Sequence, residues 1–239
     1  MNRPVGDRSG STGVTAATGV VIAIDGPAGA GKSTVGRALA ERLGLEYLDT
    51  GAMYRAMTFA VQQRGIPEGD LDAVAEAAPT VDIVVTDGYI GVDGVDATRE
   101  IRGRDVTEGV SQVAANPAVR RVLVARQRAW VAEHGGGVVE GRDIGSVVFP
   151  EAPLKLYITA SPRVRAERRV LEIGGDVAEV EASIIKRDRF DSSRADSPLT
   201  EASDAVVVDT TGMSVDAVVD HIVDLLVHRI GDGSARLGR

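Results

Sequence analysis

The stretch "VVIAIDGPAGAGKSTVGRALAERLG", residues 20 to 44, changes character twice within a few residues. Val20 to Asp25 is a short continuous apolar run, the pattern of a strand buried on both faces. From Lys32 onward, Val35, Leu39 and Leu43 recur at helical spacing, and Gly44 marks the stop. Between strand and helix, Gly26-Pro27-Ala28-Gly29-Ala30-Gly31-Lys32-Ser33 fits the spacing G-x-x-x-x-G-K-[ST], with Thr34 following. Glycines so placed let successive backbone N–H groups turn inward around phosphate oxygens. The helix N-terminus adds a partial positive charge. Of the 27 basic residues, only Lys32, Lys155 and Lys186 are lysines. A compact ammonium on a flexible stem can follow charge as it moves between phosphates, whereas a guanidinium is bulkier and fixed in its fork. Ser33 supplies a hydroxyl for Mg²⁺, the expected metal ligand. Residues 26 to 34 are therefore the expected triphosphate cradle. The alternative is a glycine-rich turn with an incidental lysine.

Outward from this loop, "LEYLD" reads as a second strand and "TGAMYRAMTFAVQQRG" as a helix N-capped by Thr50. Strand, helix, strand, helix argues for an α/β fold with a parallel sheet. The texture then changes. "VDIVVTDGYIGVDG" alternates around Asp87-Gly88, a hairpin signal, so residues 79 to 104 are expected to form a small inserted antiparallel β unit. A helix follows from Pro117 to the glycines after His134. "VVE", "LKLYITA" and "AVVVD" read as core strands. "SPRVRAERRVLEIGG" and "VAEVEASIIKRDRFDSSR" read as helices joined by Gly174-Gly175, and "SVDAVVDHIVDLLVHRI" as the last helix. Residues 20 to 230 are thus expected to be one domain. Residues 1 to 19 and 231 to 239 read as disordered tails.

Composition bounds the function. The chain has 239 residues, no cysteine and a formal net charge of −8. No disulfide or thiolate metal site is available, and His134, His221 and His228 have no ligand spacing. The acidic balance speaks against a nucleic-acid partner, so any anion site must be local. No signal peptide or bilayer-length apolar run is present. The expectation is a cytoplasmic protein without membrane partners, and a monomer.

A nucleotide loop can serve a switch, a motor or a kinase. Asp209-x-x-Gly212 resembles a switch motif, but it lies near the C-terminus and no Asn-Lys-x-Asp follows it. A nucleic-acid motor needs basic grooves interleaved with aromatics, and aromatics are 3% of this chain. For a small-molecule kinase there is positive sign: Arg163, Arg165, Arg168, Arg169, Arg187, Arg189 and Arg194 crowd the glycine-joined helices. Arg165 and Arg169 share a face, with Arg168 beside them. Transfer between two polyanions needs such cations in a site closed to water. A solvated helix pair, its arginines meeting Glu167, Glu172 and Glu179, fits the charge pattern equally well.

"IDGPAGAGKST", "YLDTGAMYR", "SQVAANPAVRRVLVARQR", "EGRDIGSVVFP", "AERR" and "RDRFDSSR" together resemble the bacterial cytidylate kinases, over about residues 20 to 228. The resemblance implies transfer of the γ-phosphoryl group of Mg²⁺-bound ATP to CMP or dCMP. It also implies a P-loop three-layer sandwich with a central parallel sheet, a monophosphate-binding β insert (79 to 104) and an arginine-rich lid (163 to 194). By resemblance, Thr50, Tyr54 and Arg55 form the acceptor-phosphate turn and clamp, and Arg142 is a second clamp. Ser111, Arg120 and Asp143 match cytosine readers. Arg187, Asp191 and Arg194 match a signature in which Asp191 lies near the sugar and Arg194 near phosphate. Arg165 and Arg169 fall in the lid over ATP. Lys32, Arg142, Arg187 and Arg194 are the expected catalytic cations. Glu140 stands where some members carry Asp, and Phe190, Ser192 and Ser193 occupy positions that are often charged. The chemistry agrees: a carboxylate accepts from the cytosine N4 amino group, as in DNA readout, and an arginine donates to N3 or O2. UMP, AMP or a hydroxyl acceptor such as shikimate, and a regulatory nucleotide switch, remain the alternatives.

Overall fold

The computed structural model of the chain describes residues 19–86, 88–193, 199 and 201–236. Asp87, Arg194 and the N-terminal segment up to residue 18 lie outside the described residues. The apolar run becomes β1 (Val21–Asp25), followed by α1 (Lys32–Leu43), β2 (Tyr47–Asp49) and α2 (Thr50–Gln63). Ile22, Ala23 and Ile24 are completely buried, as a strand covered on both faces must be. Ile22 and Ile24 belong to the core cluster that holds Leu39 of α1, while Ala23 belongs to the one that holds Met57 of α2. Alternate side chains of one strand thus feed two helical layers. The N-cap of α2 is Asp49, whose side chain accepts from Ala52 N at 3.0 Å. Thr50, read from sequence as the cap, is already helical. Its hydroxyl instead donates to Glu140 O at 2.6 Å.

The insert is approached through α3 (Leu71–Ala77) and comprises β3 (Ile83–Thr86), β4 (Tyr89–Val92) and β5 (Val95–Asp96), antiparallel in that order. Thr86 stands opposite Tyr89, in keeping with the hairpin expected at Asp87-Gly88. The chain leaves it through α4 (Arg104–Val113), then α5 (Pro117–His134). Asn116 caps α5 by accepting from Ala118 N at 2.9 Å, and Gly135 ends it in the left-handed region.

Next come β6 (Gly137–Glu140), β7 (Leu154–Thr159), the helices α6 (Pro162–Ile173) and α7 (Val177–Ser192), β8 (Val206–Asp209) and α8 (Val215–Arg236). The main sheet has the order β2-β6-β1-β7-β8, with every pairing parallel. The expected three-layer α/β architecture is what the structure shows. The last helix runs to Arg236, into the segment 231 to 239 read as a tail from its glycines. A glycine costs a helix only about 1 kcal/mol, and an existing helix elongates without a new nucleus.

One glycine is set by contact. Gly26 has φ +143°, and a Cβ on it would lie 2.0 Å from Ile158 O of β7. Gly26→Ala is expected to destabilise the fold by about 3 kcal/mol, a fall of roughly 6–12 °C in Tm for a chain of this size. A thermal melt checks this, with the Gly88→Ala variant, where no heavy atom lies within 4 Å, as the reference for positive-φ strain alone.

Candidate active site

The loop after β1, Asp49 and Thr50 at the end of β2 and start of α2, and Gly141 to Asp143 after β6 converge at the carboxyl edge of the parallel sheet. This is where open α/β sheets bind ligands. Gly29 and Gly31 take positive φ, and Ala30 is buried between them. Lys32 is buried and donates from Nζ to Pro27 O at 2.8 Å. Burial, then the neighbouring Arg142, pull its pKa well below the ordinary lysine value, with Glu140, Asp49 and Asp25 opposing. Ser33 Oγ donates to Glu140 Oε1 at 2.6 Å. The other carboxylate oxygen of Glu140 is buried near the Tyr47 hydroxyl and meets no hydrogen-bond geometry among the described residues. Burial, then Asp49, push the Glu140 carboxyl above its usual range.

Opposite the loop stand the residues expected at an acceptor. Arg120 and Asp143 are both buried and form an ion pair. The Arg120 guanidinium lies 5.9 Å from the Tyr54 ring centroid, over its face, within cation–π range. Ser111 sits half-buried on α4. Arg55 donates to Thr107 Oγ1 at 2.9 Å and to Ile101 O at 3.3 Å. Its pKa is lowered to about 10, chiefly by burial and then by Arg169, with Arg142 and Arg102 adding like charge. Asp49 opposes that lowering, and Arg142 and Arg169 carry carboxylate partners of their own in Asp191 and Glu172. Arg142 Nε donates to Asp191 Oδ2 at 3.3 Å, and the same carboxylate oxygen lies 3.9 Å from Arg187 Nε. A core-edge arginine and an arginine of α7 therefore meet on one buried carboxylate.

The arginines of the helix pair divide by face. Arg163 and Arg169 reach the glutamates Glu167 and Glu172 on the solvent side, both at 2.9 Å. Arg165 is buried. It donates to Ala160 O at 2.9 Å and to Ala28 O at 3.1 Å, and pairs with Asp188 at 2.7 Å. Arg168 donates to Thr210 O at 2.9 Å and Thr210 Oγ1 at 3.1 Å, and reaches Ala30 O at 3.5 Å. Arg165, named with Arg169 for the ATP side, touches the loop through the Ala28 carbonyl, while Arg169 pairs with Glu172. The reason is chemical: turning the loop N–H groups inward turns carbonyls outward, and those oxygens need donors. Arg194 lies outside the described residues. Asp209 of the switch-like motif caps its own turn, accepting from Thr211 N at 2.9 Å.

A family model described as cytidylate kinase matches residues 22–228. The chain belongs to the cytidylate kinase family. It is 49% identical over 216 residues to the cytidylate kinase of Corynebacterium efficiens, covering 87% of this chain and 94% of that one. It is 48% identical over 219 residues to the cytidylate kinase of Mycobacterium leprae, covering 90% and 98%. It also matches a bifunctional pantoate ligase/cytidylate kinase of Parasynechococcus marenigrum at 49% over 221 residues, 88% of this chain but 44% of that protein. The chain thus spans less than half the length of that bifunctional relative. The crystal structure of a gluconokinase from Sinorhizobium meliloti 1021 shares the fold, with a TM-score of 0.50 at 16% identity over 93% of this chain and 99% of that one.

The structure also brings to this edge and its loop residues to which the sequence reading gave no role: Asp25, Glu140, Arg168 and Asp188. Asp25 and Glu140 each close an apolar strand run with a charge, which was a readable signal. Arg168 was named only as one of the crowding arginines, and Asp188 gave no signal, because only tertiary packing separates it from its neighbours. Among the described residues, no group of three or more His, Cys, Asp or Glu is gathered to hold a metal ion, and no helix is long and apolar enough to cross a membrane.

Arg165→Ala is expected to cost about 3 kcal/mol, because it leaves Asp188 and two carbonyls short of a donor. Arg169→Ala, whose pair with Glu172 is solvent-exposed, should cost under about 0.5 kcal/mol. Paired urea titrations of the two variants read the difference.

Proposed function

We propose that the chain transfers the γ-phosphoryl group of ATP to CMP or dCMP, giving ADP and CDP or dCDP. The observation that carries this reading is the buried Arg120–Asp143 pair, set across the sheet edge from a phosphate-type loop and beside a crowd of guanidinium groups. Asp143 accepts from the cytosine N4 amino group, Arg120 donates to N3 or O2, and Ser111 assists. Thr50, Tyr54, Arg55 and Arg142 hold the acceptor phosphate, and Asp191 holds the sugar. The loop from Gly26 through Pro27, Ala28, Gly29, Ala30, Gly31, Lys32 and Ser33 to Thr34 cradles the donor phosphates.

An oxygen of the acceptor phosphate attacks the γ-phosphorus, and the bond to the β-phosphate oxygen breaks, leaving ADP. No enzyme intermediate is formed. Positioning and charge stabilisation supply the rate. Lys32, Arg142, Arg187 and Arg194 are the cations assigned to the transferring group. Arg169 closes over ATP, and Arg165 acts through the loop it braces. Mg²⁺ fits Ser33 and Glu140: the donors are oxygens, and one buried carboxylate oxygen of Glu140 meets no hydrogen-bond geometry among the described residues. Mg²⁺ favours one or two carboxylates with substrate phosphates and water, and when bound it neutralises developing phosphate charge. The region 163 to 194 as a lid, 79 to 104 as the monophosphate-side insert, a monomeric state and a cytoplasmic location belong to the same proposal.

The test measures ADP release with CMP, dCMP, UMP, AMP, GMP, shikimate and no acceptor. Turnover with CMP or dCMP far above the rest is expected. Acceptor-independent ADP release would mark a switch, and preference for another acceptor would displace the reading. UMP replaces the N4 donor by an acceptor and adds a proton at N3. A site built for the missing group rejects such an analogue by up to about 10⁴ to 10⁵, and about 10² is expected here because water can partly re-satisfy an opening pocket. Asp143→Ala should narrow the CMP-to-UMP ratio of kcat/KM. An equal loss for both substrates would remove Asp143 from base recognition.

A further inference from the structure

Directly after Asp143 the backbone makes a single π-helical turn, Ile144–Val148. Such turns are rare and recur at functional sites. Val147 N and Val148 N both reach back to Asp143 O, at 2.9 and 3.2 Å, and Phe149 N reaches Ile144 O at 2.7 Å. The first N–H groups of the turn have no partner inside it. Asp25, the last residue of β1, takes them: Ile144 N donates to Oδ1 at 2.7 Å and Gly145 N donates to Oδ2 at 2.8 Å. Asp25 is only 3% exposed, so water has little access to take its place. The turn is pressed from the other side as well. A Cβ on Gly145 would lie 3.1 Å from the Lys155 stem.

We infer that Asp25 is a positioning residue for base selection, fixing the turn that aims the Asp143 carboxylate and, through it, the partner Arg120. This rests on the reading of Asp143 as the cytosine acceptor. Asp25 uses both oxygens in charge-assisted bonds, the strong class of hydrogen bond. Its backbone continues straight into Gly26, so one residue ties the donor loop to the acceptor reader. Burial raises its pKa to about 6, with the two N–H groups pulling the other way. The carboxylate is thus held against desolvation by this turn.

Asp25→Asn keeps the shape but turns an NH₂ group toward an N–H donor, so one of the two bonds is lost. The expected result is a rise of about tenfold in KM for CMP, with KM for ATP within about twofold. The CMP-to-UMP ratio of kcat/KM should shrink by about the same tenfold factor. In an Asp143→Ala background the same substitution should change that ratio no further, the mark of two residues acting as one unit. An unchanged ratio in Asp25→Asn, or an equal fall in kcat for both substrates with KM for CMP unmoved, would overturn the inference. If Asp143→Ala itself leaves the ratio unchanged, the cytosine reading fails and takes this inference with it. If Asp143→Ala narrows the ratio and Asp25→Asn does not, the inference fails alone. Should Asp25→Asn not fold, Gly145→Ala shifts the same turn from the Lys155 side with Asp25 intact. It should narrow the ratio too, and a folded Gly145→Ala with wild-type selectivity would overturn the claim.

Discussion

Asp25, Lys32, Arg120, Glu140 and Asp143 are all buried at one edge of a five-stranded sheet, and a buried charge is costly unless it is paired and hydrogen-bonded. The local architecture answers that demand. Asp25 is met by two backbone N–H groups, Arg120 and Asp143 by each other, and Lys32 by the Pro27 carbonyl. The demand is met unevenly, and the shortfalls fall together. One Glu140 oxygen meets no hydrogen-bond geometry among the described residues, and burial, then neighbouring arginines, depress the pKa of Arg55. An edge that gathers buried carboxylates and cations suits a metal-bound polyphosphate, because such a ligand supplies cation and anion at once.

Close backbone approach is the second constraint. With Gly26 against the Ile158 carbonyl, the loop leaves β1 without room for a side chain. Arg165 and Arg168 then fasten the outward carbonyls of Ala28 and Ala30. Those arginines belong to the helix that the family resemblance makes a lid, so a change in the lid reaches the loop through short polar contacts. Helix α7 also reaches the sheet edge, since Asp191 joins Arg142 just after β6.

What was legible in the sequence was local or doubly buried. The strands β1, β6 and β7 declare themselves because both faces are covered, and the loop because its glycines and lysine are adjacent. The helix α4 was missed because its stripe is only Val106, Val110 and Val113, broken by Gly109. The cap of α2 was placed one residue late because Asp49 and Thr50 are both good caps, and only the nearby Glu140 carbonyl draws Thr50 away. Spacing put Arg165 and Arg169 on one face, but i+3 and i+4 neighbours both qualify, and loop carbonyls, not spacing, selected Arg165 and Arg168. The Arg120–Asp143 pair joins residues 23 apart and the Asp25 contacts span 119 and 120. Periodicity carries no trace of such pairs. The first was named only through family resemblance, and the second not at all.

The central claim is that a cytosine reader and a phosphate clamp stand assembled at this edge before ATP arrives. Calorimetric titration of the nucleotide-free protein with CMP, UMP and cytidine tests it most directly. CMP should bind at least about tenfold more tightly than UMP, which lacks the N4 donor, and than cytidine, which lacks the phosphate. Equal affinity for CMP and UMP would contradict a preformed base reader, and equal affinity for CMP and cytidine would contradict the arginine clamp.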